Sequence, residues 1–212
     1  MNAPDLSTLN APTIAVFAAL ALMSIMAVTV AFFKTFQFSR MGVGKVSQAE
    51  TVLSDWLGGR ADKALQTASG RKSVLERVLQ AVFAGLRQKP NDQSYAEELG
   101  RQTAIVELSA MTSRMRLLET VVQAAPMLGL LGTVIGMIDA FSTLANTEGA
   151  VDPALLASGI WTALTTTAAG LAIALVTYFV ASWLEGRIET ERQSIEALIS
   201  AAINGRVDAK TG

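Results

Sequence analysis

Two apolar stretches hold the residues able to do chemistry. Ala125 to Phe141 reads APMLGLLGTVIGMIDAF, with Gly129, Gly132 and Gly136, Thr133 among them, and Asp139 near the end. Gly159 to Leu171 reads GIWTALTTTAAGL, uncharged, with Thr162, Thr165, Thr166, Thr167 and Gly170. A hydroxyl both donates and accepts, so a row of them can pass protons or water without a fixed charge. The plain reading of a lone threonine in lipid is a bond back to its own helix. Four between 162 and 167 exceed what that reading expects. Thr162 and Thr166 share one helical face, and Ala163, Thr167 and Gly170 the adjacent one. The glycines have two readings as well. Small residues let helix backbones approach in lipid, so the row is either packing alone or the packing that encloses a polar path.

Asp139 is the one ionisable residue in these stretches. An acid inside a membrane is a candidate functional group. It lies six residues past Thr133, about 9 Å along a helix. That places it near the helix exit, where a hydrated acid at the outer mouth is the simpler reading. The chain offers no carboxylate at mid-membrane. If protons cross here, the titrating group comes from another chain.

Other chemistries are excluded. There is no cysteine and no histidine, so disulfides, thiol nucleophiles and His/Cys metal sites are absent. No cofactor or metal is expected. The glycine row is no phosphate loop, because no Gly-Lys-Ser/Thr follows, and no strand precedes it to make a dinucleotide site. A membrane enzyme would need further polar residues clustered at one depth. The chain is therefore not read as an enzyme. Acids are interleaved among the bases, so no run is dense enough for nucleic acid.

The elements that position these residues are membrane helices. The 212 residues are 51% hydrophobic and 17% charged, with a mean hydropathy of +0.40, too apolar for an average soluble domain. Ile14 to Phe33 runs twenty residues without a charge, about 30 Å of helix and one hydrocarbon core. Only Asp5 precedes it, so it reads as a retained helix and not as a signal peptide, and Pro12 suits its start. Val121 to Ile138 is a second span and Pro153 to Leu184 a third, with Trp161 and Trp183 fit for the two interfaces. All 17 Lys and Arg fall in 34–120 or after Leu184, whereas the N-terminal tail and the loop after the second span carry only Asp5, Glu148 and Asp152. The positive-inside rule then puts the N-terminus outside. The expected order is an outer segment 1–13, spans at 14–33, 121–144 and 154–184, a short outer loop 145–153, and cytoplasmic helical parts at 34–120 and 185–212.

The cytoplasmic part reads as helical throughout. Val46, Ala49, Val52, Leu53, Trp56 and Leu57 form one apolar face, ended by Gly58-Gly59. Val74, Leu75, Val78, Leu79, Val82, Phe83 and Leu86 form another, closed by Pro90. Ser47 with Glu50, Ser73 with Glu76 and Ser94 with Glu97 predict capping boxes. One helix is expected from Ser94 to about Asn146, with Pro126 at most a kink. Another is expected from the third span through Glu185–Asn204, capped by Gly205. The fold class is an all-α membrane protein, its second and third helices extended far into the cytosol.

GLLGTVIGMIDAF and GIWTALTTTAAGL together resemble the two signatures of the MotA/TolQ/ExbB proton-channel family, over about 120–185. Three spans, N-terminus out, and a large insert after the first span resemble its TolQ/ExbB branch. The resemblance implies a bacterial inner-membrane pentamer around a dimer of an ExbD/TolR-type single-span partner, whose membrane Asp carries protons. Work would then be done through a TonB/TolA-type periplasm-spanning protein. Thr133 and Thr167 match the family's pore threonines, with Thr162 and Thr166 beside them. Many TolQ and ExbB proteins have Glu where this chain has Thr162. The implied function is a proton-driven motor subunit, first for outer-membrane transport and second for Tol-type envelope maintenance. A non-conducting membrane scaffold is the alternative from another class.

Overall fold

The structure is a computed structural model that describes residues 11–70, 73–145 and 153–205. Most of the outer segment 1–13, nearly all of the loop 145–153 with Glu148 and Asp152, and the tail after Gly205 lie outside the described residues. Seven α-helices follow one another: α1 Ala11–Met41, α2 Val46–Leu57, α3 Ala61–Gly70, α4 Val74–Gln88, α5 Gln93–Thr112, α6 Met115–Ala145 and α7 Pro153–Asn204. No strand occurs among the described residues. Three stretches are long and apolar enough to cross a membrane, within Ala11–Leu57, Gln93–Ala145 and Leu156–Asn204. The chain divides into two compact units. One holds residues up to Phe32 and Arg114–Ser182, the other Phe33–Ser113 and the residues from Trp183 on.

The first unit contains the apolar lengths of α1, α6 and α7. These helices leave large apolar side chains exposed, among them Leu22, Phe32, Met127, Leu130, Leu164 and Phe179. Many of their buried positions are small: Ala125, Gly129, Gly132, Gly136 and Ala140 on α6, Ala163, Thr166 and Ala174 on α7, although Val16, Leu20 and Val30 of α1 and Leu118 and Val121 of α6 are buried as well. Lipid tails are as apolar as leucine, so large residues gain nothing by facing inward, and close backbone packing takes their place. Pro126 sits inside α6 without ending it.

The second unit is built as a soluble core. Val74, Leu75, Val78, Leu79, Val82 and Phe83 of α4 are fully buried. Phe83 stacks on Trp56 of α2 with ring centroids 4.2 Å apart. α5 folds back on α4. Gly85 lies so near Ala96 that an added methyl would fall 2.6 Å from its Cα. At the other end Arg77 donates two 2.6 Å bonds to the Glu107 carboxylate. Asp55 closes the α2–α3 turn, accepting from Arg60 Nη2 at 2.6 Å with Lys63 Nζ at 3.0 Å.

Two expectations need correction. No single helix runs from Ser94 to Asn146. It breaks after Thr112, where Ser113 is extended and Arg114 adopts φ +65°. The carbonyls freed by the break find donors on α1. Lys34 Nζ donates to Met111 O at 2.7 Å, and Gln37 Nε2 to Ala110 O at 3.1 Å. Lys34 is wholly buried, and a cation at a helix C-terminus is favoured by the dipole. Neither glycine nor proline marks this break. Second, only Ser73–Glu76 forms its capping box. Asp92 caps α5 in place of Ser94, accepting from Tyr95 N at 3.0 Å, and α2 begins after Lys45 without a side-chain cap. The helix that contains the first span, α1, continues past Phe33 to Met41, since nothing at Lys34 interrupts it.

Two outcomes are expected. Phe83→Ala lowers the unfolding free energy of the second unit by about 3–5 kcal/mol, read by chemical denaturation in detergent. Arg60 first, and Lys63 second, hold the Asp55 carboxyl below its usual range. A depressed pKa stabilises above the ordinary carboxylate value, and the effect is lost as pH falls through the lowered one. Amide protection over 55–63 therefore drops on acidification in the natural chain, whereas Asp55→Asn is already weakened at neutral pH and loses little more.

Candidate functional site

The candidate residues meet where α6 and α7 pack antiparallel. The register is read from what a methyl at each glycine would strike. At Gly159 it falls 2.7 Å from Ala140 Cβ, and at Gly136 2.8 Å from Ala163 Cβ. At Gly132 it collides with the Thr166 hydroxyl, and at Gly129 it lies 3.0 Å from both Thr166 O and Thr167 Cα. A methyl at Gly170 would fall 2.5 Å from Ala125 O and 3.1 Å from Gly129 Cα. Gly129, Gly132, Gly136 and Gly170 thus all lie on one helix–helix seam, where any larger residue would push the backbones apart.

This closeness lets side chains of one helix reach the backbone of the other. Thr167 Oγ1 donates to Gly129 O at 2.8 Å. Thr166 Oγ1 donates to its own Ala163 O at 2.6 Å and stands 3.3 Å from the same Gly129 O. Thr166 is fully buried and Thr167 half-buried. A carbonyl has two lone pairs, so Gly129 O, inside the α6 ladder, still has capacity for the Thr167 hydroxyl.

The remaining candidates bond within their own helices. Thr133 Oγ1 donates to Leu130 O at 2.6 Å, Thr162 to Ser158 O at 3.0 Å and Thr165 to Trp161 O at 2.8 Å. Thr133 is half-buried and lines a shallow groove on α6 with Val134, Met137, Ile138, Phe141 and Ser142. Thr133 and Thr167 are therefore placed on different partners. Asp139 is half-exposed three residues past Gly136, and its backbone oxygen accepts from Thr143. No group of three or more acids that could hold a metal ion occurs among the described residues.

The two adjacent faces of α7 merge at the seam, which takes Gly159, Ala163, Thr166 and Gly170. Thr166 is its most buried hydroxyl. The missed participants are Gly159, Ala140 and the Gly129 carbonyl. Small residues at 3–4 spacing on both helices, 125/129/132/136/140 against 159/163/166/170, carried the signal for the first two. A backbone acceptor has no side-chain signature.

The profile of the MotA/TolQ/ExbB proton channel family matches residues 70–197, more than half of the chain. The chain belongs to this family. The matched range includes the α6–α7 seam. Among its relatives, a protein of Methanothermobacter thermautotrophicus named as a biopolymer transport ExbB homolog is 34% identical over 71% of this chain and 55% of its own length. A Synechocystis protein named as biopolymer transport ExbB-like 1 is 35% identical over 76% of this chain and 63% of its own. Biopolymer transport protein exbB1 of Vibrio cholerae is 49% identical over 30% of this chain and 28% of its own. The chain thus matches a little over half the length of the first two relatives. Family and helices together make this a multi-pass membrane protein of the ExbB kind.

The seam makes a contrast between two glycines of this ExbB-like chain. Gly129→Ala puts a methyl against backbone atoms that cannot swing aside, and is expected to cost about 1–3 kcal/mol. Gly186, with nothing within 4 Å of its missing methyl, is expected to tolerate alanine or gain up to about 1 kcal/mol from helix propensity. Unfolding of the detergent-solubilised protein compares the two.

Proposed function

We propose that this chain is the proton-channel and motor subunit of a complex in the bacterial inner membrane, which uses proton-motive force to energise a periplasm-spanning partner. The observation that carries the reading is the convergence of Thr167 and Thr166 on Gly129 O, inside the two signatures of a proton channel family. A hydroxyl that holds a carbonyl across a helix seam keeps its own lone pairs available to a second donor. A row of such groups can hand protons to a carboxylate brought by a neighbour.

In this reading the carboxylate belongs to an ExbD/TolR-type single-span partner, and five copies of this chain surround a dimer of it. Thr133 and Thr167 face the path, with Thr162 and Thr166 beside it, while Asp139 sits at the outer mouth. The N-terminus is outside, because every Lys and Arg lies in 34–120 or after Leu184. Segments 34–120 and 185–212 then form the cytoplasmic part, and 14–33, 121–144 and 154–184 the spans. Outer-membrane transport through a TonB-type protein is the first task proposed, and the names of the relatives speak of biopolymer transport. A Tol-type role in envelope maintenance is the second.

A scaffold that conducts nothing is favoured by a separate observation. Each of the five hydroxyls at Thr133, Thr162, Thr165, Thr166 and Thr167 already donates to a backbone carbonyl, as pure packing would have it. Proton flux into liposomes holding this chain with its co-expressed partner separates the two. Thr167→Val and Thr133→Val keep the shape and remove the hydroxyl. The channel reading expects each to cut flux about fivefold or more, the equivalent of about 1 kcal/mol, in complexes assembled to the same extent. No flux above that of empty liposomes with the natural chain favours the scaffold, and flux equal to that of the natural chain in both variants takes the path away from these hydroxyls.

A further inference from the structure

One buried carboxylate has no part in the seam. Glu191 lies on α7 in the second unit and is 1% exposed. Its Oε2 accepts the backbone N–H of Gly44 at 2.8 Å. Its Oε1 is buried and has no hydrogen-bond partner. Gly44 belongs to the turn between α1 and α2. That turn is held by Val43 N to Phe38 O and Lys45 N to Gly42 O, with Gly42 at φ +64° and Gly44 at φ +85°. A side chain at either glycine would be strained. Gly44 is therefore free of a side chain where Glu191 reaches in, and its N–H points at the acid and not along a helix.

The arrangement is costly for an anion. A buried charge with one satisfied oxygen loses more hydration than a single hydrogen bond returns. The charged groups around it do not restore the balance. Arg187, one turn earlier on α7, attracts the carboxylate and lies beside Gly44, but forms no ion pair with it. From the turn, Lys45 is exposed. From α4, Ser73 packs on Gly42 and is itself engaged by Glu76, whose Oε2 accepts from the Ser73 hydroxyl. Burial is the dominant influence and pushes the Glu191 carboxyl up, with the Gly44 N–H and Arg187 opposing it.

We propose that Glu191 is a proton-operated latch: protonated, it clasps the 42–45 turn to α7, and ionised, it lets that turn go. When it carries a proton the group is neutral and its burial costs least. The sign follows from linkage. A raised pKa makes the closed contact most stable below the ordinary glutamate value, and the stability is lost as pH rises through the raised one. A single proton sets a limit of about tenfold in the closing equilibrium per pH unit across that interval. The turn joins the first apolar helix to α2, and α7 is the helix that bears Thr166 and Thr167. The latch would let the acidity of the medium around the second unit act on both. It does not depend on the channel reading, because it concerns contacts within the second unit alone.

The test is amide hydrogen exchange of the Gly42–Lys45 segment in the full chain, in detergent or nanodiscs, across pH 5 to 8 (about three units) and corrected for intrinsic exchange. Protection in the natural chain is expected to fall by clearly more than twofold as pH rises. In Glu191→Gln, a neutral carboxamide of the same shape, it should stay within about twofold throughout. The Glu191 carboxyl is then followed by 13C NMR of carboxyl-labelled glutamate in the natural chain, which requires no variant to fold. A midpoint above that of the exposed glutamates supports the latch. Protection that does not change with pH, the same fall in Glu191→Gln, or an ordinary glutamate midpoint would each overturn it.

Discussion

The backbone contact between α6 and α7 governs the membrane part of this protein. Where two helices meet through Gly129, Gly132, Gly136, Ala163 and Gly170, no side chain larger than that of Thr166 stands between their main chains. Two effects follow from that one fact. Dispersion between close backbones holds the helices where the hydrophobic effect cannot, because lipid offers apolar surface on every side. The approach also brings the Gly129 carbonyl within reach of Thr167. In a wider seam that hydroxyl would bond back to its own helix, as Thr162 and Thr165 do.

The two units obey opposite packing rules on one chain. In the first, the α6–α7 seam is lined by alanine, glycine and threonine, while many leucines and phenylalanines such as Leu22, Phe32, Leu130 and Phe179 face outward. In the second, Phe83, Leu75, Leu79 and Val82 are inside and charges outside, as water requires. Yet the second unit also keeps Lys34, Glu76 and Glu191 away from water. Each is attached to backbone: Lys34 to the end of α5, Glu76 to its own N-cap, Glu191 to the α1–α2 turn. These charges serve as clamps on chain reversals, where helices end and leave polar groups without partners. For Glu191 that attachment is the basis of the proposed latch, in a protein that belongs to a proton channel family.

Much was legible beforehand. Uncharged runs of membrane length marked the three long helices, and Gly58-Gly59, Pro90 and Gly205 marked ends that the chain observes. The apolar face of α4 was readable from its 3–4 spacing, because burial in water selects the same residues whatever they touch. The break at Ser113–Arg114 was hidden, since its carbonyls are satisfied by Lys34 and Gln37, more than seventy residues earlier. The Ser47 and Ser94 capping boxes failed for a related reason. A cap signal is only three residues wide, and a neighbouring side chain such as Asp92 can take the position.

By itself the sequence determined the helical class, the three apolar lengths, the lopsided distribution of charge and the two signatures that resemble a proton channel family. Each is a property of residue type along the chain, and each follows from the solvation of one helix at a time. Tertiary structure decided which face of α7 meets α6, that Thr166 is the most buried of the four hydroxyls, and that Thr167 bonds to Gly129 O while Thr133 bonds at home. It also decided that Glu191, an unremarked acid in a charged helix, would be sealed against Gly44. The reason is common to all of these. The partner in each case is a main-chain atom, and a main-chain atom is the same in every residue until folding sets its neighbours.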